Sequence, residues 1–279
     1  MNLVCLNGQF LPADQPVLMA HNKSYRYGEG IFETMKMTNE AIPLWELHWS
    51  RFQSSLQLFG FDMARLSTNN IIYEQIKELS RMNDCASLSR LRLSAFRGNG
   101  GPFDQANEFH YLIESWPLDP QTNQFNEAGS TIGIFPTARK SCDALANIKS
   151  ASYLAYALAA RHALAHQWDD ALVINSHDRI ADSSIANIFL VQDGHIITPP
   201  LSEGCVSGVM RKYLLEKLPG AGYQVTEAPV SIHQLQQADE LFLTNAIAGL
   251  RWVRHFEDRE YRHSICKTIY RDIIQTIGR

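Results

Sequence analysis

Residues 144–191 hold the pattern that most narrows what this chain can fold into. A lone lysine, Lys149, sits in a run of apolar and small residues, and no other lysine occurs between Lys140 and Lys212. Tyr156, Leu158, Ala160, Ala163 and Leu164 then recur near helical spacing. Ala171-Leu172-Val173-Ile174 reads as a buried strand and Asn175-Ser176-His177-Asp178 as a turn. Arg179-Ile180-Ala181-Asp182 and the small link Ser183-Ser184 lead into a second strand, residues 185–191. Helix and strand alternate, so the chain is expected to be of mixed α/β class. A lysine ammonium is costly to bury and its pKa falls when it is desolvated. Lys149 is therefore a candidate Schiff-base nucleophile. Structural lysines far outnumber catalytic ones, so the residue acquires meaning only from what surrounds it.

The rest of the chain supplies further elements. Residues 3–6, the dipeptide Asn7-Gly8 and residues 9–11 read as a hairpin. Residues 22–36 read as a turn running into an aromatic strand, with Gly28 and Gly30 flanking Glu29. Residues 44–58 and 70–82 read as helices, and His48 and Arg51 share a face of the first. Residues 88–98 alternate as a strand, with Arg90, Arg92 and Ser94 on one face and Leu91, Leu93 and Ala95 on the other. Two arginines side by side repel each other, so they need acidic partners, solvent or an anionic ligand. Residues 109–114 read as a strand. Residues 117–128 are polar and carry two prolines; they read as the connection between a domain of residues 1–116 and one of residues 129–279. A strand at 131–136 opens the second domain, and Asp193-Gly194 turns the chain into residues 195–198. The glycine-rich run 204–211 precedes an amphipathic helix, whose free N–H groups form a ready anion site. Residues 240–246 read as a buried strand and 262–277 as a closing helix.

Net charge is −4 with both signs scattered, so neither nucleic acid nor an acidic membrane is an expected partner. No leading signal or spanning run is present, and a cytoplasmic protein is expected. Cys5, Cys85, Cys142, Cys205 and Cys266 are odd in number and widely spaced, which fits reduced thiols better than disulfides or a metal site.

Lys149, Tyr153-Leu154, Asp169-Asp170-Ala171-Leu172, Ile180-x-Asp182, Asn187-Ile188-Phe189 and Thr198-Pro199, taken in this order, resemble the class IV (fold-type IV) pyridoxal-phosphate aminotransferases. That group includes branched-chain aminotransferases, D-amino-acid transaminases and aminodeoxychorismate lyases. The resemblance runs from about Asn7 to about Val253. It implies a two-domain fold, a small N-terminal α/β domain and a larger C-terminal β-barrel-like domain with helices. It also implies pyridoxal 5'-phosphate as cofactor, amino acids and 2-oxo acids as substrates, and a homodimer.

The resemblance further assigns residues. Lys149 is the catalytic and cofactor-bonding amine. Asp182 stands five residues before Asn187, where relatives use a glutamate as partner of the pyridine nitrogen. His48-x-x-Arg51 matches a motif whose arginine holds the cofactor phosphate, with Phe52 in the leucine place. Val209 and Met210 match the phosphate-binding turn, Met210 replacing its threonine, and Asn245 and Ala246 match the last phosphate-side strand. Tyr153 is the aromatic hydroxyl beside the cofactor's phenolic oxygen. Tyr27 and Phe32 line the substrate side, Tyr27 reaching toward the neighbouring subunit. D-amino-acid transaminases trap the substrate carboxylate with a tyrosine and an Arg-x-His pair; here Phe32 replaces the tyrosine and no Arg-x-His follows Gly98. Arg26, Arg90 and Arg179 are expected to stand in for that trap, with Arg92 on the same strand face as Arg90. The leading expectation is a D-amino-acid transaminase using D-glutamate or D-alanine with 2-oxoglutarate or pyruvate. A 4-amino-4-deoxychorismate lyase and a branched-chain aminotransferase stay open behind it.

Overall fold

The computed structural model describes residues 2–61, 69–104 and 108–278. They group into two compact units. The first runs to Gln121 and includes residues 149–152 and Gly278; the second holds residues 122–148 and 153–277. The chain passes from one unit to the other inside the expected connection, but that stretch is tied down rather than loose. Tyr270 Oη donates to Asn123 O at 2.8 Å, and Trp252 Nε1 donates to Asn126 O at 2.5 Å.

The first unit contains β1 (Leu3–Leu6), β2 (Gln9–Pro12), α1 (Lys23–Tyr27), β3 (Gly30–Thr38), α2 (Trp45–Leu58), α3 (Asn69–Met82), β4 (Leu88–Arg97) and β5 (Phe109–Pro117). Its sheet has the order β2-β1-β5-β4-β3, with antiparallel pairing throughout. Asn7 and Gly8 turn the first hairpin with φ of 51° and 87°, the left-handed pair that a two-residue hairpin turn needs. Along β4, Ser89, Leu91, Leu93 and Ala95 are buried while Arg90 is exposed, as the period of two requires.

The turn expected before β3 is a short helix. The Asn22 side chain accepts from the N–H groups of Ser24 and Tyr25 to start α1, and Gly28 ends it at φ 69°. Five residues are too few for periodicity to register, so only the two caps mark this helix in the sequence.

Residues 149–152 extend the same sheet past β3. Phe32 N–H donates to Lys149 O at 2.9 Å, Ala151 N–H donates to Gly30 O at 2.8 Å, and Ile31 bridges Ser150.

The second unit contains β6 (Ser130–Lys140), α4 (Leu154–Ala165), β7 (Asp170–Asn175), β8 (Ile180–Ser183), β9 (Asn187–Gln192), β10 (His195–Thr198), α5 (Val209–Lys217), β11 (Val225–Glu227), α6 (Ile232–Gln237), β12 (Glu240–Asn245), β13 (Gly249–Phe256), β14 (Arg259–Glu260) and α7 (Ser264–Asp272). Its mixed sheet, a curled half-barrel, runs β11-β10-β9-β12-β13-β6-β7-β8, with β14 paired to β13. Leu172, Ile188, Leu190, Leu241, Leu243, Val253 and Phe256 form one core with Leu235 of α6. Phe189 and Phe242, at the intervening positions, stack with centroids 4.9 Å apart.

Two expected elements are corrected. Residues 185–191 are not one strand. Ser183 N–H donates to Ala186 O at 2.8 Å to make a turn, Ile185 is exposed, and the strand before it, β8, pairs antiparallel with β7. Pairing with a fully buried neighbour makes β8 a strand, although two of its four residues are polar. The closing helix is shorter than expected: the carboxylate of Glu240 accepts from the N–H groups of Ile265 and Cys266 at 2.9 and 2.8 Å and fixes the start of α7. No described helix is long and apolar enough to cross a membrane.

Candidate active site

In the first unit, the register of β3 against β4 sets Phe32 opposite Ser94 and Thr34 opposite Arg92. The Arg92 guanidinium lies 3.7 Å from the centroid of the Phe32 ring, and Lys149 Nζ lies 4.6 Å from the same centroid. A ring face attracts cations, so Phe32 gathers both. Arg92 Nε also donates to Ser94 Oγ at 3.0 Å and lies 3.7 Å from Glu114. Burial pushes the Glu114 carboxyl up, against the pull of Arg92 and Arg90. Arg90 is not part of this group; its guanidinium lies 5.7 Å from the Trp116 ring. The repulsion expected between the two arginines is offset by Glu114, on which both charges act, and each guanidinium lies over its own aromatic ring.

The next residue on β3, Glu33, is buried and collects two basic groups from α2. His48 Nδ1 lies 2.7 Å from its Oε2, while Arg51 Nε and Nη2 donate to Oε1 and Oε2 at 2.8 and 2.5 Å. Burial acts to raise the Glu33 pKa, but Arg51 and His48 outweigh it and hold the carboxyl at about 2. Burial lowers the pKa of His48, the charges of Arg51 and Lys149 add to this, and Glu33 opposes it. The Arg51 fork, expected to grip phosphate, closes on Glu33. Glu33 was missed by sequence reasoning; its signal is an acid flanked by the buried Ile31, Phe32 and Met35. Arg26 and Tyr27 lie on α1 and are exposed, and Arg26 Nε donates to Ala20 O at 3.1 Å.

In the second unit, Asp182 of β8 is 2 % exposed. Its Oδ2 accepts from Tyr156 Oη at 2.8 Å and from Val206 N–H at 2.9 Å, with Lys140 Nζ at 3.5 Å. Its Oδ1 is buried and has no hydrogen-bond partner among the described residues. Tyr156 and Lys140 are site residues that no sequence motif marks; in the sequence Tyr156 belongs only to the helical periodicity of residues 156–164. Tyr153 stacks on Tyr156 with centroids 4.8 Å apart, and its hydroxyl donates to Ser184 O at 2.6 Å. Arg179 is engaged elsewhere, its Nε and Nη2 donating to Glu203 Oε2 and Oε1 at 2.7 Å each.

The start of α5 is shaped for close approach. Gly208 is its N-cap and supplies no side-chain cap to the first turn, where Val209 and Met210 lie buried. A Cβ on Gly208 would overlap Asn187 Oδ1, and Asn187 Nδ2 donates to Val206 O at 2.8 Å. Thr244 of β12 is buried, and its hydroxyl has no hydrogen-bond partner among the described residues. Asn245 Oδ1 accepts from the N–H groups of Ile247 and Ala248 at 3.0 and 2.9 Å, and Ala246 adds no polar side chain. In the second unit, a buried carboxylate oxygen and an uncapped helix start suit a pyridine ring nitrogen and a phosphate; the first unit, by itself, carries a lysine amine of the kind that bonds a cofactor carbonyl. The donor set fits the cofactor.

Residues 30–256 match the amino-transferase class IV family. The chain is 24 % identical over 230 residues to an aminodeoxychorismate lyase of Vibrio harveyi, covering 82 % of this chain and 83 % of that one. It is 25 % identical over 252 residues to a putative branched-chain-amino-acid aminotransferase of Methanocaldococcus jannaschii, covering 88 % and 85 %. The crystal structure of the branched-chain amino acid aminotransferase of Escherichia coli shares the fold with a TM-score of 0.88 at 18 % identity, covering 99 % and 94 %. With more than half its length matched, the chain belongs to the amino-transferase class IV family, enzymes that work with bound pyridoxal phosphate.

Proposed function

We propose that this enzyme transfers the amino group of an α-amino acid to a 2-oxo acid, with dicarboxylic partners preferred: D-glutamate with pyruvate, or D-alanine with 2-oxoglutarate in reverse. The observation that carries this reading is the Arg92 guanidinium stacked on the Phe32 ring that Lys149 shares. Arg92, already 3.7 Å from Glu114, puts a positive charge beside the ring that Lys149 shares, and a guanidinium is the side chain best suited to pair with a carboxylate. A charge beside a purely aliphatic side chain would be costly, which disfavours branched-chain substrates.

Bound pyridoxal phosphate supplies the electron sink. Lys149 Nζ is assigned as covalent anchor and then as carrier of the proton at the substrate α-carbon. Asp182 holds a proton on the ring nitrogen, since a neighbouring anion favours the charged form. The first turn of α5, at Val209 and Met210, takes the phosphate. The working assembly is a homodimer edged by Tyr27. A second reading, a carbon–oxygen lyase on the same cofactor, is favoured by the likeness to the Vibrio relative over most of its length and by the Asn245-Ala246 strand end.

One panel separates the readings: D-glutamate, L-glutamate, D-alanine and L-leucine with an acceptor, and aminodeoxychorismate alone. The expected result is transamination of D-glutamate at the highest kcat/KM and its loss in Arg92→Ala. Turnover of aminodeoxychorismate alone supports the lyase; preference for L-leucine sinks both. Borohydride is expected to fix the cofactor to Lys149, and Lys149→Ala to lose both that label and turnover.

A further inference from the structure

We infer that Tyr156 and Lys140 are positioning residues that aim Asp182 at the cofactor's pyridine nitrogen. The inference rests on the proposed role of Asp182 and goes beyond it. An aspartate carboxylate stands only one methylene from the backbone, about 1.5 Å short of a glutamate's reach. Something must fix where so short a carboxylate sits and which oxygen it offers.

Three elements and a loop converge on that carboxylate. Asp182 comes from β8, Tyr156 from the first turn of α4, Lys140 from the end of β6, and Val206 from the segment before α5. Tyr156 Oη and Val206 N–H donate to Oδ2, and Lys140 Nζ donates to Tyr156 Oη and lies 3.5 Å from Oδ2. The lysine also lies 4.7 Å from the centroid of the Tyr156 ring. Among the described residues all donors converge on one oxygen, and Oδ1 is left buried without one. Burying a carboxylate oxygen without a donor is expensive, so the arrangement is complete only when an N–H meets Oδ1. The cofactor's ring N–H is the donor that the proposed chemistry provides.

The surrounding groups keep this arrangement in one protonation state. Burial, with the charge of Asp182 added, pushes the Tyr156 phenol well above its ordinary pKa. It therefore keeps its proton and donates to Asp182 at working pH. Burial and the same charge push the Cys205 thiol up to about 12, so no second anion forms beside Asp182. Lys140 adds the compensating positive charge, and Arg211 also acts on Cys205.

The test compares Tyr156→Phe, Lys140→Met, Lys140→Arg and Asp182→Asn in the full-length protein. Three quantities are read: pyridoxal-phosphate Kd by titration of the apoprotein, the pH at which the bound cofactor's visible absorption changes, and the melting temperature of the apoprotein. Loss of a hydrogen bond to a charged acceptor predicts a Kd roughly tenfold higher for Tyr156→Phe. Its spectral transition is expected to move in pH while the apoprotein still folds. Lys140→Met is expected to shift both readouts the same way and Lys140→Arg to restore them; this pair decides the matter if Tyr156→Phe does not fold. If both single losses leave Kd and spectrum at wild-type values while Asp182→Asn changes them, Asp182 acts unaided and the inference is overturned. If Asp182→Asn changes neither, the role of Asp182 falls and the inference falls with it.

Discussion

Glu33 shows how far a single side chain's chemistry is set by its neighbours. Its carboxyl is held at about 2, so it stays ionised inside the protein and stabilises the fold. That stabilisation is present above its unfolded pKa and is lost as pH falls from about 4.5 toward 2. His48 acts earlier in the same direction. Its folded pKa is lowered, so below about 6.5 the unfolded chain takes up the proton first and stability declines. Acid should therefore weaken the protein in two stages. Glu33→Gln leaves Arg51 and His48 without their anion and is expected to lose on the order of 3 kcal/mol at pH 7. Its stability should also fall less steeply than wild type between pH 5 and 3, as read by urea unfolding across that range. Asp182→Asn tests the other buried carboxylate: turnover is expected to fall on the order of a hundredfold while the apoprotein folds. Asp182 was legible because its distance from Asn187 carries meaning in one dimension. Glu33 was not, because its partners lie 15 and 18 residues away on another element.

Elements behave differently, because their ends are fixed by contacts that substitution can disturb locally. The N-cap of α5 has room for glycine only. Gly208→Ala would drive a Cβ into Asn187 Oδ1 and disturb the bond from Asn187 to Val206, whose N–H in turn serves Asp182. A loss of about 1–3 kcal/mol and a weaker pyridoxal-phosphate Kd are expected by thermal melting and titration. Gly220→Ala, with nothing within 4 Å of its added carbon, serves as the control and should change the cofactor Kd little. Ser231 completes a capping box with Gln234 at the start of α6, and Ser231→Ala is expected to lower stability by about 1 kcal/mol. The long helices α2 and α3 and the hairpin of β1 and β2 could be read from periodicity and turn chemistry. The short elements α1 and β8 could not: caps alone make the first, and pairing with β7 makes the second.

For the whole molecule, cofactor and fold are thermodynamically linked. Pyridoxal phosphate binds the folded chain, so a hundredfold excess over Kd should add about 2.7 kcal/mol of stability. Removing it is expected to lower the melting temperature and fresh cofactor to restore it; an unchanged melt would count against a built site. Sedimentation at working concentration is expected to give a dimer, and a competent monomer would remove Tyr27 from the proposed role.

The family class could be read from the chain alone, because the order of Lys149, Asp182, Asn187 and the glycine-rich turn is a one-dimensional fact. So could the larger helices and the core strands, whose apolar periodicity records which face is buried. Folding in three dimensions brings residues 149–152 onto the first unit's sheet through bonds to Gly30 and Phe32. Folding likewise closes Arg51 on Glu33, Arg179 on Glu203, and Tyr156 with Lys140 on Asp182. The physical reason is that a buried charge must be neutralised by whichever opposite or donating group folding brings within reach. Such partners come from other elements, and no periodicity in the chain records them.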